Sequence, residues 1–233
     1  MGEIPEWAER VPNTDFFCLK GDLFTKRWYK KAGSIVYERE MQEIPEIKEV
    51  LKPGNTVIDV GAFIGDYTRL FLDLGCKVIA FEPYQDAFFC LLHNCPEALC
   101  YSMAVGDGRK LSCFHEDRTM TRENKGGRQV RESDNGIPSI KLDDLRLSYC
   151  SFVKIDGEGT EPFVLDGMKK TFRDCSPVLY IEVNLPALRD HGFSDQMDII
   201  GRLPEGYKWR VASFPERVGT NLPWDIVAYR EKE

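Results

Sequence analysis

Apolar runs punctuated by glycines and acids recur along this chain and predict strands near residues 56–60, 77–82, 100–104, 151–156, 178–183, 207–213 and 225–229. Between them, apolar positions return at helical spacing near 66–74, 85–93, 139–146, 160–173 and 194–202. This alternation predicts an α/β fold, a mostly parallel sheet of seven strands with right-handed crossovers and helices on both faces. The last two strands flank a proline-bounded connection at 215–223 and suit an antiparallel hairpin. Upstream, residues 1–14 read as an irregular lead-in. Phe16-Phe17-Cys18-Leu19 and Lys26-Arg27-Trp28-Tyr29 flank Gly21-Asp22 and read as a β-hairpin. Met41, Ile44, Ile47, Val50 and Leu51 then repeat as a helix over 37–51, stopped by Pro53-Gly54. Residues 1–50 are therefore expected to form a hairpin-plus-helix appendage on a core domain of residues 51–233.

The first predicted core strand ends in Asp59-Val60-Gly61-Ala62-Phe63-Ile64-Gly65, and the second ends in Glu82. Parallel strands that deliver carboxylates to one sheet edge form half of a nucleoside site. A dinucleotide fingerprint would need glycine at 61, 63 and 66, where this chain has Gly61, Phe63 and Asp66. A bulky side chain and an acid in the first helical turn both disfavour a pyrophosphate there. A ligand with a ribose and a cationic centre fits better, with Glu82 accepting from the ribose hydroxyls, and S-adenosylmethionine is such a ligand. Alone, Asp59 and Gly61 would serve equally as a helix cap and a tight turn in any α/β protein.

The segment from Asp59 to Thr68, Phe81-Glu82-Pro83, and Val153-Lys154-Ile155-Asp156-Gly157-Glu158-Gly159-Thr160-Glu161 together resemble the FkbM family of S-adenosylmethionine-dependent O-methyltransferases, over about residues 37–193. The resemblance implies a Rossmann-like class I methyltransferase fold with S-adenosylmethionine as cofactor. It implies that Glu82 takes the ribose hydroxyls and that Gly61, Ala62 and Phe63 contact the methionine portion, within a set that includes Asp59, Gly65, Tyr67 and Thr68. Pro83 and Tyr84 flank the adenosine, and Met103 and Ala104 follow the strand where the family places adenine. Met103 is by type equally an ordinary core residue.

For catalysis the candidates are Asp156, Glu158, Glu182 and His191. Asp156 would face the sulfonium and the methionine amine, with Glu158 nearer the acceptor. An alcohol needs its proton removed before it attacks a methyl group, which makes Glu158, Glu182 and His191 the possible bases. The plainer alternative is that Asp156-Gly157-Glu158-Gly159 only caps the next helix, and that His191 is structural. Asp156, Glu182 and Asn184 are oxygen ligands of a type that suits Mg²⁺ or Ca²⁺, but hydrogen bonding to the substrate or to the loop around 158 is favoured over a metal. His93 with Cys90, Cys95 and Cys100 lacks the paired spacing of a zinc site.

Composition narrows the partners. A net charge of −7 argues against a general nucleic-acid or anionic-membrane face. Residues 116–138 contribute local positive charge, with Arg118, Arg122, Lys125, Arg128 and Arg131 among acids in a polar stretch read as a mobile surface loop, and a substrate lid as the alternative. No apolar run reaches the ~20 residues of a membrane span, no signal-peptide pattern opens the chain, and Glu6 occupies the position where a myristoylation motif wants Ser or Thr. Eight cysteines without a C-x-x-C pair read as free thiols of a cytoplasmic protein. The expected partner is a small molecule bearing a hydroxyl, a sugar or a glycosylated or secondary metabolite. A non-catalytic S-adenosylmethionine-binding module and an RNA methyltransferase are the competing functions.

Overall fold

The computed structural model describes residues 4–11, 14–22, 25–26, 41–113, 130–132 and 137–231. Strands β1 (Ala8–Arg10) and β2 (Phe17–Leu19) pair antiparallel, with Ala8 opposite Leu19. The hairpin therefore lies one strand earlier than its sequence signals indicate. The supposed lead-in supplies a strand, while Lys26 sits in a helical turn and Arg27 to Tyr29 lie outside the described residues. Helix α1 (Pro45–Lys48) is shorter than the expected 37–51, since Pro45 has no N–H to continue the turn at 41–42 and instead starts a new helix. Residues 37–40 of that expected helix lie outside the described ones.

The core follows as β3 (Thr56–Val60), α2 (Asp66–Asp73), β4 (Lys77–Phe81), α3 (Gln85–Asn94) and β5 (Leu99–Tyr101). Next come β6 (Lys110–Cys113), β7 (Val130–Glu132) and β8 (Ile137–Pro138), which pair as a small antiparallel sheet in the order β7-β6-β8. Part of the expected surface loop is thus strand, because 130–132 and 137–138 find backbone partners on either side of β6. Arg118, Arg122, Lys125 and Arg128 lie outside the described residues.

The chain continues through β9 (Phe152–Ile155), α4 (Glu161–Asp166), α5 (Lys169–Cys175), β10 (Val178–Val183), α6 (Leu185–Asp190), α7 (Met197–Ile200), β11 (Tyr207–Ser213) and β12 (Trp224–Arg230). The main sheet has seven strands in the order β11-β12-β10-β9-β3-β4-β5. Strands β3, β4, β5, β9 and β10 run parallel, and β12 is reversed between β10 and β11.

Both faces of this sheet are covered, which is why its central strands read as nearly continuous apolar runs. Ile58, Val60, Val153, Ile155, Leu179 and Ile181 pack on one side with Val164, Met168, Phe172, Leu188 and Ile199 from α4 to α7. On the other side Val57, Val78, Phe152, Tyr180 and Val227 meet Phe71 of α2 and Ile44 and Ile47 of the amino-terminal segment. The β1-β2 hairpin packs Phe16 to Leu19 on Ile64, Tyr84, Ala87 and Cys90. Asn94 ties it down, donating to the Phe17 and Ile64 carbonyls and accepting from the Phe17 amide at 2.6 Å. No helix of the described residues is long and apolar enough to cross a membrane.

Candidate active site

From β3 the chain proceeds to β4 and β5 on one side and returns to β9 on the other, so the sheet switches direction between β3 and β9. A crevice opens at such a point beyond the carboxyl ends of the strands. Gly61 lies at its floor, with φ +74, and a Cβ there would lie 1.8 Å from the Asp156 carbonyl oxygen. Phe63 follows in the left-handed region at φ 48. Its amide donates to Glu82 Oε2 at 2.8 Å, while the Tyr84 amide donates to Oε1 at 2.7 Å. Two amides thus aim a buried carboxylate and leave each oxygen a further lone pair for a diol. Gly65, Ala62 and Pro83 shape the same turn, Gly65 at φ 97 starting α2, and the Tyr84 hydroxyl donates to Asp86.

Burial lifts the Glu82 carboxyl from 4.5 to about 7, against the two amides and Lys154, which pull it down. Glu161 and Asp225 are raised to about 7 as well, chiefly by burial. Between about 4.5 and 7 the folded chain then holds more protons than the unfolded one, so the ligand-free protein loses stability as pH rises through that window. Were Glu82 to accept from a ribose diol, as the sequence resemblance implies, that binding would require the ionised carboxylate and run the opposite way. The expected result is a thermal midpoint that falls by a few degrees or more from pH 5 to pH 8 while S-adenosylhomocysteine affinity rises. Calorimetry across that range checks both, and parallel trends would contradict the assignment.

A row of polar groups crosses the sheet below this rim. Asp59, Lys154 and Tyr180 are register partners on β3, β9 and β10. Lys154, buried at 3% exposure, directs Nζ to Asp156 Oδ2 at 3.2 Å, Asp59 Oδ1 at 3.6 Å and the Gly61 carbonyl at 3.3 Å, over the Tyr67 ring at 4.7 Å. Thr68 donates to Asp59 Oδ2 at 2.7 Å. Both Asp59 and Thr68 are wholly buried, Asp59 lying between Thr68 and Lys154.

A second row lies one level higher. Glu182 and Asp225 stand directly opposite on β10 and β12, a like-charge pair that costs stability. Carboxylate oxygens of Asp156, Glu158 and Glu182 come within 4.8 Å of one another. Glu182 Oε2 is buried and has no hydrogen-bond partner among the described residues. Burial first, then Asp156, Glu158, Asp225 and Glu161, hold the Glu182 carboxyl well above the usual carboxylate range. Asn184 takes a different place from the one its sequence position indicates. Its Oδ1 accepts from the Ala187 amide as the cap of α6 and its Nδ2 donates to Glu158 Oε2 at 3.1 Å, so Glu158 rather than Asn184 completes the group of oxygens. His191, at the end of α6, packs edge-on against Phe163, and a Cβ on Gly159 would lie 2.8 Å from its Cδ2. Asp156, Glu158, Glu182 and His191 therefore gather around one loop.

Met103 is half-buried against the core and Ala104 is buried, its carbonyl accepting from the Ile140 amide. The zinc alternative has no geometry behind it, since the acidic trio is the one His/Cys/Asp/Glu group of metal-holding proximity among the described residues. Lys154, Glu161 and Asp225 were not legible as site residues. Lys154 left a trace, a cation amid the apolar Phe152-Val153-Lys154-Ile155 strand. Asp225 left none, because only the β10-β12 register places it beside Glu182.

A family model described as the methyltransferase FkbM domain matches residues 59–205. The chain belongs to the FkbM methyltransferase domain family. The matched span holds Asp59, Glu82, Asp156, Glu158, Glu182 and His191, but not Asp225 or β12. Among solved structures, the FkbM methyltransferase from Methylobacillus flagellatus KT is 15% identical with a TM-score of 0.52, over 82% of this chain and 48% of that one. This FkbM chain thus spans about half the length of that relative. A TehB-like SAM-dependent methyltransferase from Corynebacterium glutamicum ATCC 13032 matches at 11% identity and a TM-score of 0.51, over 91% of this chain and 98% of that one. A Streptococcus mutans methyltransferase in complex with SAH matches at 12% identity and a TM-score of 0.51, over 84% and 96%. At these identities the likeness establishes the fold, the Rossmann-like class I methyltransferase sheet. No curated protein matches the chain.

A cavity of about 700 Å³ opens elsewhere on the chain, between Phe172, Arg202, Tyr207 and Arg230. It lies by the amino end of β11 and the carboxyl end of β12, and none of the strand-end acids lines it.

Proposed function

We propose that this FkbM chain is a cytoplasmic S-adenosylmethionine-dependent O-methyltransferase that acts on a hydroxyl of a small molecule, a sugar or a glycosylated or secondary metabolite. The observation that carries this reading is the Glu82 carboxylate, buried at the switch point and aimed by the Phe63 and Tyr84 amides beside an acid-rich strand edge. Glu82 holds the ribose hydroxyls, Gly61, Ala62 and Phe63 line the methionine side with Gly65 and Tyr67, and Pro83, Tyr84, Met103 and Ala104 flank the base. Asp59 and Thr68 act from below, through Lys154. Asp156 faces the cofactor's cationic groups. When bound, the cofactor supplies an electrophilic methyl group on a sulfonium.

What remains for the chain is to align the acceptor oxygen, exclude water and take up a proton. Glu158 is the base in this reading, with Glu182 within 4.8 Å of it and His191 packed against its loop. Three carboxylates within 4.8 Å accept hydrogen bonds from a polyol and repel a phosphodiester, which supports a hydroxylated small molecule over RNA. The same crowding supports an enzyme over a passive binding module, since holding three acids this close costs stability that binding alone would not require.

Release of S-adenosylhomocysteine, measured across sugars, phenols, peptides and RNA, tests the acceptor class. Turnover is expected with hydroxylated small molecules. Turnover confined to RNA or peptides, or none with any class, would contradict the reading.

A further inference from the structure

Glu161 opens α4 wholly buried, a costly place for a carboxyl group. Its Oε1 accepts from the amides of Gly157 at 2.8 Å and Gly159 at 3.1 Å. Its Oε2 is buried and has no hydrogen-bond partner among the described residues. The two amides bracket Glu158, whose backbone sits in the left-handed region at φ 52, with Gly159 next at φ 99. L side chains adopt that conformation at a cost and keep it where surrounding contacts impose it. The imposing contacts are visible. Besides the two amide bonds, Thr160 Oγ1 donates to the Gly157 carbonyl at 2.9 Å, and a Cβ on Gly159 would lie 2.4 Å from the Ala187 carbonyl oxygen.

We propose that Glu161 is a positioning residue that clamps the amides on either side of Glu158 and so keeps the Glu158 carboxylate in the Asp156–Glu182 cluster. This rests on the reading of that cluster as the acceptor end of a methyltransferase site. The clamp works as a hydrogen-bond acceptor rather than as a charge. Among the described residues no cation pairs with Oε2, burial raises the carboxyl to about 7, and a protonated carboxyl still offers its carbonyl oxygen to both amides.

Two substitutions separate acceptor from charge. Glu161→Gln keeps an oxygen at the same reach and removes the charge, whereas Glu161→Asp keeps the charge and withdraws the oxygen by one methylene. Amide hydrogen exchange of Gly157 and Gly159 is measured by NMR on the ligand-free chain, and S-adenosylhomocysteine affinity by calorimetry. Glu161→Gln is expected within about threefold of wild type in both, and Glu161→Asp at least about tenfold faster in exchange and about tenfold weaker in affinity, because Asp156 leads directly into the clamped loop. Exchange unchanged in both variants, an aspartate that outperforms the glutamine, or a glutamine variant that fails to fold would each overturn the clamp. Wild-type protein that shows the exchange ranking but binds no S-adenosylhomocysteine would support the clamp and sink the cofactor reading instead.

Discussion

Glu158→Ala is expected to lower turnover by about 10² to 10⁴-fold, the usual worth of a positioned general base, while S-adenosylhomocysteine affinity stays within about threefold of wild type. The separation follows from placement. Glu158 lies in the loop after β9 with its carboxylate toward Asp156, Glu182 and Asn184, whereas the Glu82 carboxylate is held by the Phe63 and Tyr84 amides at the end of β4. Backbone strain does not confuse the comparison, because alanine and glutamate share the same penalty at φ 52. Glu158→Gln is the companion variant, since its oxygen still accepts from Asn184 Nδ2 but cannot take up a proton. Steady-state rates with an acceptor identified by the product-release panel check this. Full turnover in either variant would move the base to Glu182 or His191.

Lys154→Met should cost about 3–5 kcal/mol of stability, the typical result of removing one partner from a buried ion pair, and should lower the thermal midpoint by roughly 10 °C. Lys154 is the cation against both Asp59, which is wholly buried, and Asp156, and it also donates to the Gly61 carbonyl. Its removal strands a carboxylate on β3, inside the sheet. Asp59 already sits above its ordinary range, chiefly through burial, with Lys154 the leading influence pulling it down. Without the lysine, Asp59 binds its proton more tightly in the folded state than in the unfolded one. The variant's deficit therefore grows as pH rises and shrinks toward pH 5. Thermal melts at pH 5 and 8 measure this directly, and a loss under about 1 kcal/mol at pH 8 would show that the row is not held together by charge.

Most of the fold was legible, and the reason is the burial of the sheet on both faces. Each predicted core strand lies within about three residues of an observed one, because strands covered on both sides are largely apolar. Helices were less legible where tertiary contacts break them. The periodic stretch at 160–173 is two helices, α4 and α5, parted at Gly167, where a Cβ would lie 1.9 Å from the Gly106 carbonyl oxygen. The expected helix at 139–146 is a single 3₁₀ turn over Leu142–Leu145. Helix α6 went unread because Pro186 looks like a breaker, yet proline fits the first turn, where its missing N–H is not needed.

The site divides in the same way. Glu82 ends an apolar strand before Pro83, and Asp156 and Glu158 stand after another beside Gly157 and Gly159, local patterns that sequence carries. The roles of Lys154, Glu161 and Asp225 come from register and loop closure, and the lone cation in an apolar strand marks Lys154 as unusual without giving its partners.

Titrating S-adenosylhomocysteine into the wild-type chain and into Glu82→Ala, with circular dichroism to confirm that both are folded, tests the central claim most directly. The account predicts measurable binding to wild type and a loss of about 100-fold or more in the variant, since two hydrogen bonds to a buried carboxylate disappear. Equal affinity in the two proteins, or no heat from the wild type, would contradict it.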